Sequence, residues 1–118
     1  MLLNPPNPWD IWMAEVSYEE NPNRFKTRPV IILEQDEECT DENAWLAIYI
    51  TSQVAKYRNR NDSVILEWQK EGLDKPSIAL CAEILQLYET DLQRTRPIGY
   101  CSAYDINRIE DILDKLGI

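Results

Sequence analysis

Short apolar runs separated by polar, turn-rich stretches make up most of this chain, and one run is denser than the others. Val30-Ile31-Ile32-Leu33 follows Pro29 with no polar position among the four, which is the pattern of a strand buried on both faces. Proline is tolerated at the first residue of a strand, where no ladder donor is needed. It also holds Arg28 extended, because the residue before proline avoids the α region. A charged guanidinium is thereby fixed at the mouth of a buried strand. On this stretch alone, Arg28 reads as a solvated strand-end charge or a structural ion pair.

The remaining runs fall around that strand. Asp10-Ile11-Trp12-Met13-Ala14-Glu15-Val16 predicts a first strand with imperfect alternation, and residues 17–27 a polar loop with a turn at Asn21-Pro22-Asn23. Acidic residues 35–43 predict another loop. Ala44-Trp45-Leu46-Ala47-Ile48-Tyr49-Ile50 is a third strand ending at Thr51-Ser52-Gln53, followed by a basic loop. Ser63-Val64-Ile65-Leu66-Glu67-Trp68 is a fourth strand, and Gly72 and Pro76 bound the next loop. Ser77-Ile78-Ala79-Leu80-Cys81 is a strand; 82–87 reads as its continuation in preference to a helical turn, and 91–99 is a loop or short strand.

From Ser102 the apolar period changes to that of a helix. Ser102 is the predicted N-cap, with Asp105 in the first turn to favour the unpaired N–H groups. Ile106, Ile109, Ile112, Leu113 and Leu116 form a core-packing stripe, and Gly117 is the stop. The asparagines and prolines of 4–8 exclude regular structure. The predicted organisation is an extended arm at 1–8 before a single domain at 9–118. Several short strands and one closing helix predict a small antiparallel β-barrel of the α+β class.

Composition narrows the chemistry. With 118 residues and 44% hydrophobic content, the chain has room for one core. No apolar run approaches the roughly 20 residues of a membrane span, and the N-terminus does not read as a signal peptide. Cys39, Cys81 and Cys101 are odd in number and contain no CxxC pair, as in reduced thiols of a cytosolic protein. Cys81 and Cys101 are expected to pack as small hydrophobes. Histidine is absent, which removes the commonest general base and the commonest metal ligand together.

The formal charge of −9 argues against a broad nucleic-acid surface. That charge is segregated, however. Arg24, Lys26 and Arg28 form one acid-free window and Lys56, Arg58 and Arg60 another, while Glu34 to Glu42 is an acidic run without a cation. Loops leaving neighbouring strands at one sheet edge lie close together. The two windows are therefore expected to face each other across a groove floored by Thr51, Ser52 and Gln53. A chain this acidic can hold a polyanion only where its positive charge is concentrated. The ordinary reading of 56–60 is a solvated loop, and that of Thr51 and Ser52 a turn-starting pair. Tyr57, between Lys56 and Arg58, is the candidate for base stacking; Trp45 and Trp68 read as core or subunit contacts.

Arg28-Pro29 on one strand, Thr51-Ser52 at the end of the next, and Ser77-Ile78 on a later one form an order that resembles the PemK/MazF-like toxins of bacterial toxin–antitoxin systems. Asp10-Ile11-Trp12 is similar to the family's opening strand, Arg28-Pro29-Val30-Ile31-Ile32-Leu33 to its most specific motif, and Ile48-Tyr49-Ile50-Thr51-Ser52 to the strand ending in a functional threonine. Ser77-Ile78-Ala79-Leu80 resembles the serine-bearing strand, and Glu83-Ile84 the acid-or-glutamine plus isoleucine after it. The likeness covers residues 9–117. It departs at Asn23, where a glutamate is common, and at Trp9, where a glycine is.

The resemblance implies an SH3-like barrel, a homodimer with a cognate antitoxin, and metal-independent, cofactor-free cleavage of single-stranded RNA by attack of the ribose 2′-hydroxyl. It places Arg28 and Thr51 at the scissile phosphate. RNA contacts would come from Arg24, Lys26, Ser52, Gln53, Lys56, Tyr57, Arg58 and Arg60. The general acid and base stay unassigned. The alternative is a non-catalytic barrel that binds a protein partner or inhibits a DNA topoisomerase.

Overall fold

Val30, Ile31 and Ile32 are each fully removed from water, and their alternation sends them to opposite sides of one sheet. The structure, a computed structural model, describes residues 5–17, 23–38 and 43–118. Outside these lie the first four residues of the predicted arm, Asn21 and Pro22 of the predicted turn, and 39–42 of the acidic run, with Cys39.

Six strands are described: β1 (Asp10–Ser17), β2 (Phe25–Gln35), β3 (Ala44–Thr51), β4 (Ser63–Ile65), β5 (Ile78–Tyr88) and β6 (Gly99–Tyr100). They form one antiparallel sheet in the order β4-β5-β3-β2-β1-β6, curled into a half-barrel. A short helix, α1 (Val54–Tyr57), follows β3, and a 14-residue helix, α2 (Ala103–Leu116), closes the chain. Each face of the sheet carries its own apolar cluster. Ile11, Ile31, Ile48, Ile50 and Ala79 lie on one, covered by Ile106, Ile109, Ile112 and Leu113 of α2. Trp12, Val30, Ile32, Trp45 and Leu87 lie on the other.

Several boundaries differ from the sequence prediction. β2 begins at Phe25 rather than Pro29, because residues 25–28 pair with β1 down to Ser17 opposite Phe25. Lys26 and Thr27 are thus strand residues, not loop. Pro29 lies one residue beyond the last β2–β3 pair, Val30 with Tyr49, so its missing N–H costs no bond to β3. β4 stops at Ile65 instead of reaching Trp68, since the Glu67 N–H donates to Asp105 Oδ2 at 2.8 Å rather than to a strand. The basic loop after β3 contains α1. Residues 82–87 do continue β5, across a register shift at Ile48 and Tyr49. Leu116 of the predicted helical stripe is 45% exposed, at the end of α2.

Trp9 adopts φ +71°, a left-handed conformation that costs a bulky residue about 1–2 kcal/mol. There its N–H donates to Ile32 O at 2.7 Å and its carbonyl accepts from Cys101 N at 2.9 Å, tying the start of β1 to β2 and to the residue before the N-cap of α2. Asp10, almost fully buried, accepts from Asn7 N and from Trp12 Nε1.

The start of α2 is fastened through carboxylates. Ser102 Oγ accepts from Asp105 N as the predicted cap and donates to Glu67 Oε1 at 2.8 Å. The Ser102 N–H donates to Glu71 Oε2 at 2.7 Å. Glu71 and Asp105 are both fully buried, and Glu71 Oε1 has no hydrogen-bond partner among the described residues. Burial pushes the Glu71 carboxyl up to about 7; the Ser102 N–H opposes this and neighbouring Asp105 adds to it.

Between the ordinary glutamate value near 4.5 and about 7, the folded chain holds a proton that the unfolded chain has lost. This group's contribution to stability is therefore fully present below pH 4.5, falls as pH rises through that window, and is level above it. Glu71→Gln, neutral throughout, should remove the fall. The variant is expected to melt several degrees above the parent at pH 8 and close to it at pH 4.5, in thermal denaturation followed by circular dichroism.

Candidate functional site

Where β2 leaves the doubly buried region, its next outward position on the face of Val30 and Ile32 is Arg28. Its guanidinium lies 5.2 Å from the centre of the Tyr49 ring, a cation–π distance. Arg28 Nη1 donates to Thr51 Oγ1 at 3.4 Å, and Gln53 N donates to the same oxygen at 3.2 Å. Thr51 is 3% exposed. Its oxygen accepts twice and its own proton remains to be donated. The end of β3 thus positions the threonine, and the threonine and Tyr49 together position the arginine.

Beside this pair opens a cavity of about 750 Å³, within the range of small-molecule sites. Lys26, Arg28, Lys75, Arg94 and Arg96 line it, with Asp74 as the only acidic lining residue among the described residues. Met13, Pro29, Ile50, Leu73, Pro97 and Ile98 supply apolar lining, and Ser52 and Ser77 hydroxyls. In a chain of charge −9, five of the described residues lining the cavity are basic and one is acidic. Such a focus attracts anions that the rest of the molecule repels.

The 94–97 segment is an arch pinned at both ends to β1. Gln93 N donates to Met13 O at 2.9 Å and Ile98 N to Ile11 O at 2.8 Å. Behind it, Gly99 packs so closely on the Glu71 carbonyl that a Cβ would fall 1.8 Å from that oxygen, and a Cβ on Gly72 would lie 2.3 Å from Ile98 O. Only glycine permits this approach, which seats the 72–75 rim against the arch.

The predicted site residues divide in two. Lys26, Arg28 and Ser52 line the cavity, and Thr51 is bonded to Arg28 at its edge. Arg24, Gln53, Lys56, Tyr57, Arg58 and Arg60 are not among its lining residues, so the second basic window does not form the expected opposite wall. Arg60 is held elsewhere: Nε and Nη2 bind the two oxygens of Asp62 at 2.8 Å each, and Glu83 lies 3.6 Å away. Burial of Asp62 opposes its charge. The Arg60 fork and the Ala82 N–H outweigh it and hold the carboxyl below its ordinary value. The same pairing raises Arg60. The Tyr57 ring has Lys56 at 5.1 Å and Arg60 at 5.5 Å from its centre. The missed wall is Lys75, Arg94 and Arg96. Its sequence signal was a third acid-free basic stretch, Arg94-Thr95-Arg96, with a second Arg-Pro step at Arg96-Pro97.

Burial pushes the Cys81 thiol up to about 12, with the Asp62 charge adding to it, and raises Cys101 as well. Neither is an activated nucleophile. Among the described residues no group of three or more His, Cys, Asp or Glu side chains is placed to hold a metal ion. No helix among them is long and apolar enough to cross a membrane.

A family model described as the PemK-like, MazF-like toxin of type II toxin–antitoxin systems matches residues 7–116. No curated protein matches the chain significantly in sequence. Among solved structures, the Mycobacterium tuberculosis toxin MazF-mt6 is similar at TM-score 0.66 and 24% identity, over 92% of this chain and 97% of that one. An endoribonuclease in complex with its cognate antitoxin, from a mycobacterial species, is similar at TM-score 0.70 and 15% identity, over 97% of each chain. At these identities the two structures establish the likeness of fold.

The binding of Arg60 to Asp62 predicts a stabilising role for that arginine. Arg60→Ala should destabilise the fold by about 1 kcal/mol, since the arginine's outer portion is solvent-screened. This corresponds to roughly 4 °C in a thermal melt. An unchanged melting temperature would remove the structural role.

Proposed function

Because this chain belongs to the PemK-like, MazF-like toxins of type II toxin–antitoxin systems, we propose that it is the toxin of such a pair and cleaves single-stranded RNA without a metal ion. The family is one of endoribonucleases. The observation that carries the reading to this chain is the pairing of Arg28 with Thr51 at the edge of a cationic cavity.

The reaction proposed is a transesterification. A ribose 2′-oxygen forms a bond to the adjacent phosphorus and the bond from phosphorus to the 5′-oxygen breaks, leaving a cyclic phosphate and a 5′-hydroxyl. One proton leaves the first oxygen and one reaches the second. Arg28 binds two non-bridging phosphate oxygens at once and offsets the charge that grows there in the transition state. Its orientation is fixed beforehand by Tyr49 and Thr51, so little reorganisation accompanies the reaction. The Thr51 hydroxyl donates to the same phosphate. Lys26 and Ser52 bind neighbouring parts of the strand.

The mycobacterial endoribonuclease is held by a cognate antitoxin, and the same arrangement is proposed here. An acidic antitoxin segment would compete with RNA for the cavity's cations. A homodimer and a cytoplasmic location complete the reading.

Arg28→Ala should lower cleavage of a mixed RNA set by at least about a hundredfold while leaving the melting curve nearly unchanged. Mapped RNA ends and circular dichroism read the two quantities. Loss of folding in that variant would make Arg28 structural and remove it from the reaction. Cleavage should persist in EDTA; activity lost on chelation and restored by magnesium would reject the metal-free mechanism. No cut by the parent at any sequence would instead favour a non-catalytic, protein-binding barrel.

A further inference from the structure

The cavity's cations are differently employed from those elsewhere in the chain. Arg60, Lys70 and Arg108 are each in an ion pair with an acidic side chain. Lys26, Lys75, Arg94 and Arg96 have no such pair among the described residues. Arg94 and Arg96 are also exposed, with Thr95 between them, on an arch whose ends are held by backbone bonds to Met13 and Ile11 of β1. Pro97 stiffens its second half by fixing its own φ. Cations left unneutralised on a clamped backbone are already in place for an anion, and ordering them on binding costs less than ordering a mobile loop.

We infer that the arch at 94–97, with Lys75 beside it, is a second phosphate-binding wall of the cavity, gripping a backbone phosphate next to the one on Arg28. The inference rests on the proposed RNA-cleaving function and extends it with residues that lie far from Arg28 and Thr51 in the chain. The cavity also has apolar lining, Met13, Pro29, Ile50 and Leu73 among it, which gives a bound nucleoside a dry surface. Arg94 and Arg96 are binding residues in this scheme and Arg28 a catalytic one. Removing the arch charges should therefore weaken binding and raise KM with little change in kcat, the opposite of the split expected for Arg28→Ala.

The probe is a short, fluorescently labelled 2′-O-methyl RNA of mixed sequence, which lacks the attacking hydroxyl, titrated by anisotropy at several salt concentrations. Each phosphate contact on a single strand contributes about 0.7 to the slope of log affinity against log salt. The double variant Arg94→Ala with Arg96→Ala should lose about 0.7 of that slope, the contact with one phosphate, and bind at least about tenfold more weakly at low salt. Arg94→Lys with Arg96→Lys should restore most of the slope. Should the alanine pair fail to fold, Arg94→Gln with Arg96→Gln carries the same expectation.

Parent-like slope and affinity in a folded neutral pair would overturn the second wall while leaving the RNA reading intact. Weaker binding with an unchanged slope would overturn it too, because the arch would then only be holding shape. A slope change seen with a polyglutamate peptide but not with RNA would reassign the arch to an acidic protein segment. A parent that binds the RNA with no salt dependence would refute the RNA reading, and the second wall with it.

Discussion

Three consecutive residues with water on neither side, Val30, Ile31 and Ile32, set the constraint that the rest of this molecule satisfies. A strand can be apolar on both faces only if both faces are covered. Here α2 covers one, and the curl of the sheet around Trp12, Trp45 and Leu87 closes over the other. The same strand then runs outward past Pro29. Arg28 comes out at the boundary where burial stops, half-buried and rigidly backed. Its placement follows from where the core ends.

Charge is arranged on that frame in two ways. Carboxylates that would be costly to bury are used as fasteners: Asp62 holds Arg60 and the Ala82 N–H, Asp105 holds Glu67 N, and Glu71 holds Ser102 N. Burial makes these contacts strong and leaves one oxygen of Glu71 unsatisfied among the described residues, so the joint at the start of α2 is also a site of pH sensitivity. The cations of the cavity, by contrast, have no carboxylate paired to them among those residues. An acidic protein with such a cationic recess meets a polyanion with net attraction there and repels it elsewhere.

The joint and the recess are mechanically connected. Gly72 and Gly99 bring the segment after Glu71 into contact with the end of the arch, so the carboxylates that seat α2 and the cations that line the cavity share a backbone junction. Trp9, strained at positive φ, reinforces it from the other side by bonding Ile32 and Cys101. The family-typical glycine would relieve that strain but would remove a side chain that packs on the inner cluster.

The sequence by itself determined the parts governed by local pattern. A proline followed by four apolar residues specifies a doubly buried strand, a 3.6 period between Ser102 and Gly117 specifies a capped helix, and the order of short motifs was specific enough to indicate the family. Arg28 and Thr51 stand at the ends of predicted strands, which is why the sequence marked both as candidates, and the fold brings them within hydrogen-bond distance. Strand limits at 25 and 65 were not legible, since pairing with β1 extends one strand and Asp105, 38 residues away from Glu67, terminates the other. The cavity's second wall was also decided only by tertiary structure. Windows at 24–28 and 56–60 look alike as charge patterns, but among the described residues only the first, through Lys26 and Arg28, lines the cavity. Asp62 takes Arg60 into the scaffold, while backbone bonds to Ile11 and Met13 carry Arg94 and Arg96 across the sheet to the cavity that Arg28 lines. Charge counts do not record which acid lies within reach of which base, and that distance is what the fold supplies.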